Sequence, residues 1–254
     1  MREEHKMNND LLEAVKANAL FVFEFLIIIA ATFVIAYLFD KAARKRRHDN
    51  SKALNTRAIA VIGVFSAIAA VLHMIDFPVG FAPAFYKLDF GDLPALIGGF
   101  AFGPLAGAMI EAVKILLKLL FKGTSTAFVG DLANFVVGCA FVIPATVIYD
   151  FKKTKKTALI ACICGIAVLT LAGTVFNALY LIPAFSKLYG IPVEGIIDMG
   201  TAINPAIDSV WKLCLICVAP LNILKGALDS AITVLIYKRI SPILKGQRSA
   251  STKS

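Results

Sequence analysis

Apolar segments alternate with short polar connections along the chain, at about residues 17–39, 57–75, 92–103, 104–121, 127–149, 157–182 and 220–237. Their lengths suit helices that cross a bilayer, whose hydrocarbon core takes about 20 residues. The third run is short even for a tilted span. Gly103-Pro104 splits it from the fourth, with the proline well placed for a first helical turn, so the two are predicted to form a tight helical hairpin. The long connection 183–219 ends in INPAIDSVWKLCLICVA, apolar enough to lie in the interface or dip into the membrane, and Pro220 is predicted to start the last span. The predicted class is an all-α polytopic transmembrane bundle.

Composition agrees with that pattern. Hydrophobic residues make up 59% of the chain and charged residues 17%, and the mean hydropathy is +0.79, a balance foreign to soluble domains of this length. A net charge of +9 raises the question of nucleic acid. The basic residues instead cluster between apolar runs without interleaved aromatics, so orientation in the membrane explains them better. Lys41, Arg44, Lys45, Arg46, Arg47, Lys52 and Arg57 lie in the connection 40–57. Lys152, Lys153, Lys155 and Lys156 lie in 149–157, and Lys238, Arg239, Lys245, Arg248 and Lys253 follow Tyr237. All three groups are cytoplasmic if the N-terminus lies outside and the C-terminus inside, which turns the connections 76–91 and 183–219 outward.

Several function classes are excluded. The first run follows an acidic-leaning MREEHKMNNDLLE and precedes KAARKRRHD, without a small-residue cleavage site, so it reads as a retained span rather than a signal peptide. Cys214 and Cys217 form a CxxC among five cysteines. A structural zinc site wants a second ligand pair, and His5, His48 and His73 lie far off in sequence, so no metal site is expected. Gly-Lys never occurs, which excludes a P-loop. Gly130-Asp131 and Tyr149-Asp150 superficially match the paired motifs of intramembrane aspartyl proteases, but they fall at opposite ends of one predicted span, where two carboxylates cannot share a substrate. No catalytic residue is assigned.

What remains is a set of polar side chains inside apolar helices. Asn222 and Lys225 are three residues apart in LNILKGALDSAITVLIY. A lysine at membrane depth costs about 2.5–3.5 kcal/mol on insertion scales, so it persists through a partner, a wet cavity or a ligand. Snorkelling to the surface and a pair with Asp229 one turn on are the competing readings. Both residues are expected in the first two turns of the last span, and Asn134 sits at a similar depth in GDLANFVVG. Asp92 in FGDLPAL and Asp131 in VGDLANF share Gly-Asp-Leu, and both are expected to cap helix N-termini. Glu111, Lys114 and Lys118 form a stripe that can neutralise itself. Asparagine amides offer a donor beside an acceptor and lysine only donors, a set suited to a planar heterocycle with an imide edge. Along RAIAVIGVFSAIAAVL, Gly63 and Ala67 make a small-xxx-small pair with Ala60 and Ala70 close to the same face, where another helix can approach.

Three segments, FYKLDFGDLPALIGGFAFGPLAGAMIEAVKILL (85–117), STAFVGDLANFVVG (125–138) and APLNILKGAL (219–228), resemble the riboflavin-specific substrate-binding (S) components of energy-coupling factor transporters, in family order. The resemblance implies a six-helix membrane core over 57–241 that captures riboflavin from outside and is not itself an enzyme. It implies a transmembrane coupling protein and two cytoplasmic ATPases as partners, in the cell membrane, with riboflavin as transported ligand and no cofactor. Position by position, Asn134, Asn222 and Lys225 look like flavin-ring ligands, Tyr86 and Lys87 like part of the loop that closes over it, and the Gly63–Ala67 stripe like the docking face. The chain departs from the pattern in residues 1–56, an extra helix with a basic linker whose Glu24 either meets a partner helix or lies near the outer surface. Residues 242–254 form a polar tail. An S component for another vitamin, a self-sufficient proton-coupled transporter using Glu111 or Asp229, and a ligand-free membrane scaffold are the alternatives.

Overall fold

The computed structural model describes residues 19–48, 54–124, 126 and 128–245. His5 and the N-terminal flank, Lys52 of the basic linker, and Arg248 and Lys253 of the tail lie outside the described residues. Ten α-helices follow one another among the described residues: α1 (Ala19–Arg46), α2 (Thr56–Met74), α3 (Asp92–Phe102), α4 (Pro104–Lys122), α5 (Val129–Phe151), α6 (Lys155–Phe176), α7 (Ile182–Tyr189), α8 (Val193–Thr201), α9 (Val210–Leu213) and α10 (Ala219–Lys245). Local chemistry sets many of the boundaries. The Asn55 side chain accepts from the Ala58 N–H at the start of α2, and Thr154 accepts from the Thr157 N–H at the start of α6. Gly103 ends α3 at φ 101°, a left-handed value open to glycine, and Pro104 opens α4, so the predicted hairpin forms at the predicted place.

Five stretches are long and apolar enough to span a membrane: Phe23–Arg46, Thr56–Met74, Val129–Phe151, Lys155–Tyr189 and Val210–Leu244. Helix α3 is apolar but short, and α4 carries Glu111, Lys114, Lys118 and Lys122. The protein is an all-α, multi-pass membrane protein.

Two long rods differ from the expected boundaries. The sixth run continues to Tyr189 through a widened π turn at Asn177–Leu181, and the last begins at Val210 rather than at Pro220, through a second π turn at Cys214–Val218. In each, the residue closing the wide turn, Ile182 or Ala219, donates to the carbonyl five back, and a proline comes next. A proline ring inside a helix clashes with the carbonyl four residues earlier, and a wide turn lets that carbonyl move aside without ending the helix. Pro183 and Pro220 are therefore absorbed where a boundary was expected.

A short antiparallel pair, β1 (Phe77–Pro78) with β2 (Lys87–Leu88), adds to the helices in the connection 76–91, with Phe77 opposite Leu88. Helix α3 is the central post, packed against α2, α4, α5 and α10 and buried from Pro94 to Ala101. Glycine permits this. A Cβ on Gly99 would lie 2.3 Å from Thr146 Cγ2 and 3.5 Å from the Gly107 Cα, so α3 meets α5 and α4 at near backbone contact. Helix α1 lies against α4 and α5, with Phe25 tilted onto Phe135 at 6.3 Å and Arg47 Nη1 2.5 Å from Asp150 Oδ1 at the other end. Glu24 is exposed.

Substituting Gly99→Val should lower the melting temperature of detergent-solubilised protein, with a cost of about 1–3 kcal/mol from overpacking. Thr146→Ser alongside should recover part of the loss by removing the clashing methyl.

Candidate functional site

A cavity of about 690 Å³ opens at the end of the bundle where α2 and α4 finish and α5 starts, within the size range of small-molecule sites. Tyr86, Lys87, Asn134, Asn222 and Lys225, scattered over 140 positions of sequence, all line it. Asp76, His73, Asp89, Lys118, Asp131 and Asn177 line it too.

The amides are placed by backbone contacts. Asn134, in the second turn of α5, donates its side-chain N–H to the Gly130 carbonyl at 2.9 Å. Asn177, in the π turn after α6, donates to the Gly173 carbonyl at 2.7 Å and accepts from the Tyr86 hydroxyl at 3.1 Å. Burial pushes the Tyr86 phenol well above its ordinary pKa, so it stays a neutral donor. Asn222 is buried, and its Nδ2 has no hydrogen-bond partner among the described residues. It lies against Gly173, where a Cβ would come within 2.3 Å of Nδ2. A buried donor without an acceptor is costly.

Lys225 neither snorkels nor pairs with Asp229. It is buried, donates to Asp89 Oδ2 at 3.1 Å and lies 2.9 Å from Asp92 Oδ2. Burial acts to raise the Asp89 pKa, but Lys225 and His73 together hold it below the usual carboxylate range, so this carboxylate is ionised at neutral pH. Asp92 also takes Lys114 Nζ on Oδ1 at 2.6 Å, and Lys114 sits 2.5 Å from Glu111 Oε2. The stripe on α4 is thus neutralised partly within itself and partly by Asp92.

The aspartates expected as helix caps do something else. Neither α3 nor α5 has a side-chain cap bond. Asp131 accepts from Lys118 at 2.7 Å and from Thr124 Oγ1 at 2.8 Å. In an apolar bundle an unpaired ammonium is costlier than an uncapped N–H, so cations claim both carboxylates. Asp131 and Asp150 stand at opposite ends of α5, roughly 28 Å apart at about 1.5 Å per residue, and Asp150 is held by Arg47 and Lys153. Asp229 is buried with both oxygens lacking a hydrogen-bond partner among the described residues.

Elsewhere, Lys87 pairs with both oxygens of Asp76 at 3.1 Å on the exposed rim. Cys214 and Cys217 are buried in the second π turn, where Cys217 Sγ donates to the Phe81 carbonyl at 3.3 Å. On α2, Ala60, Gly63 and Ala67 are exposed, and nothing lies within 4 Å of a Cβ built on Gly63. Ala70 faces the core instead and leaves the stripe. Three residues on from Ala67, a net turn of about 60° at 3.6 residues per turn, Ala70 lies nearer the buried side of α2 marked by Ile62, Ser66 and Ala69.

Asp89, His73 and Asn177 went unpredicted. Asn177 was findable, since a lone amide inside an apolar run carries the same signal as Asn134. Asp89 sits within the matched segment 85–117 and has no pattern of its own, because its partner Lys225 is 136 residues away.

This arrangement, a helical membrane bundle with a polar-lined cavity at one end, is that of a membrane solute-binding component. The sequence model described as "ECF transporter, substrate-specific component" matches residues 57–237, and the chain belongs to that family. The chain is 34% identical over 189 residues to the riboflavin transporter RibU of Staphylococcus aureus (strain TCH60), covering 74% of this chain and 93% of that protein. It is 28% identical over 199 residues to the riboflavin transporter FmnP of Bacillus subtilis (strain 168), covering 78% and 98%. A solved structure described as "Structure and mechanism of the S component of a bacterial ECF transporter" superposes with a TM-score of 0.57 at 34% identity, over 74% of this chain and 97% of that one.

Replacing Lys114 by Met should destabilise the fold by about 3–5 kcal/mol, because Glu111 and Asp92 lose a buried counter-charge. Thermal melting in detergent reads this out, and adding Glu111→Gln should recover part of it.

Proposed function

We propose that this chain captures riboflavin from outside the cell and serves as the substrate-binding component of an ATP-driven transporter, without catalysing a reaction itself. The observation that carries this reading is the convergence of Asn134, Asn222 and Lys225 on one cavity, in a chain whose relatives are named riboflavin transporters. Lys225 donates to a ring carbonyl or N1, and the asparagine amides pair with the pyrimidine-like edge. Asn222 supplies the donor that is otherwise unmatched. Apolar side chains such as Phe185, Leu221 and Val218 on the cavity wall suit the dimethylbenzene end. Tyr86 and Lys87 hold the connection 76–91 over the ligand.

The outward-facing assignment rests on charge. Arg44 to Arg47 end α1, and Lys152 to Lys156 join α5 to α6, both at the end of the bundle opposite the cavity. By the positive-inside rule that end is cytoplasmic. Residues 57–241 then form the substrate-binding core, 1–56 the added helix and linker, and 242–254 the cytoplasmic tail. Ala60, Gly63 and Ala67 give α2 a shallow exposed face on which a transmembrane coupling protein docks, and two cytoplasmic ATPases supply the energy.

Purified protein should quench riboflavin fluorescence at near-stoichiometric ratio. Lys225→Ala and Asn134→Ala should each weaken binding by about 1–3 kcal/mol through loss of a buried hydrogen bond. Unchanged affinity in both removes the site, and stabilisation by another vitamin alone in a thermal-shift panel removes riboflavin. Gly63→Leu with Ala67→Leu should abolish co-purification with the coupling protein and leave riboflavin binding intact. Uptake in vesicles that lack the ATPases yet collapses with the proton gradient would favour a self-sufficient transporter instead.

A further inference from the structure

Lys225 has three N–H donors on a flexible stem, and a lysine free to swing makes a poor recognition element. Here two carboxylates fix it, Asp89 Oδ2 at 3.1 Å and Asp92 Oδ2 at 2.9 Å. Asp92 is shared with Lys114, so it belongs to the buried charge network of the bundle. Asp89 does not. It sits in the connection between β2 and α3, lines the cavity, and is itself held on its other oxygen. Asp89 Oδ1 accepts the Gly91 N–H at 2.8 Å and lies 3.2 Å from His73 Nδ1 at the end of α2. The backbone can turn this tightly because residue 91 is glycine: a Cβ there would fall 2.8 Å from His73 Cβ and 2.9 Å from Asp89 Oδ1.

We propose that Asp89 is a positioning residue for ligand capture: by holding Lys225 with Asp92, it leaves one N–H aimed into the cavity. The two carboxylates offset the ammonium, so Lys225 meets the ligand as a directed donor rather than as an unbalanced positive charge. Such a fixed donor suits a ring carbonyl. Asp89 lies two residues after Lys87 and three after Tyr86, so the same bond ties the cavity-covering connection to α10. This inference rests on the riboflavin reading above and extends it to a residue that touches the ligand only through Lys225.

The test is riboflavin titration by fluorescence quenching on the full-length protein, comparing wild type, Asp89→Asn, Asp89→Glu, Lys225→Met and the Asp89→Asn/Lys225→Met double variant. Thermal melting of each ligand-free protein checks folding. Asp89→Asn should weaken binding about tenfold, the magnitude of one buried charge-assisted hydrogen bond, and Asp89→Glu should restore part of it. In the Lys225→Met background Asp89→Asn should cost nothing further, because a residue that acts through Lys225 has nothing left to position. Equal losses in both backgrounds, or wild-type affinity in Asp89→Asn, would overturn the positioning role while leaving the riboflavin reading in place. A wild type that ignores riboflavin would sink that reading and this inference together.

Discussion

Buried charge is the constraint around which this bundle is organised. Lys114 and Lys225 are cations inside a protein whose exterior is hydrocarbon, and neither is tolerable without carboxylates at contact distance. Asp92 serves both of them, at 2.6 Å and 2.9 Å, which locks the start of α3 to the middle of α4 and to α10. The helix that carries Asp92 is the one packed against four others, through glycines that bring backbones together. The short helix α3 is thereby held on all sides. Charge pairing fixes its register, and small side chains fix its depth.

The cavity exists because the same pairing stops short of completion. At its wall Lys225 keeps a donor beyond its two carboxylates, Asn222 has an amide nitrogen without an acceptor among the described residues, and Tyr86, Asn177 and Gly173 form a chain of bonds beside Asn222. The wide turns ahead of Pro183 and Pro220 fall beside these residues, and they let two long rods continue past the cavity while shifting which side chains face it.

The added helix α1 is attached to the fold rather than suspended from it. Phe25 meets Phe135 near the cavity end, Ala36 and Ala43 are buried against the bundle, and Arg47 reaches both the carboxylate and the backbone carbonyl of Asp150 at the opposite end. Between its charged ends, α1 turns Leu26, Ile27, Val34, Ile35 and Leu38 outward, as expected of a helix whose other side is lipid.

The apolar runs determined the helices, their approximate ends and the membrane setting, because helix length and transfer energy are local properties that each run carries by itself. The hairpin at Gly103-Pro104 was legible for the same reason. Asn134, Asn222 and Lys225 were legible as anomalies, since a polar group in a greasy run is visible without knowing its neighbours. Their partners were not. Whether Asp92 caps a helix or neutralises two lysines, whether Ala70 faces out or in, and whether Pro220 starts a helix or sits within one all depend on which segments come together. Pairing energies and close packing act between residues from 13 to 136 positions apart, and only the tertiary structure brings those residues within reach of one another.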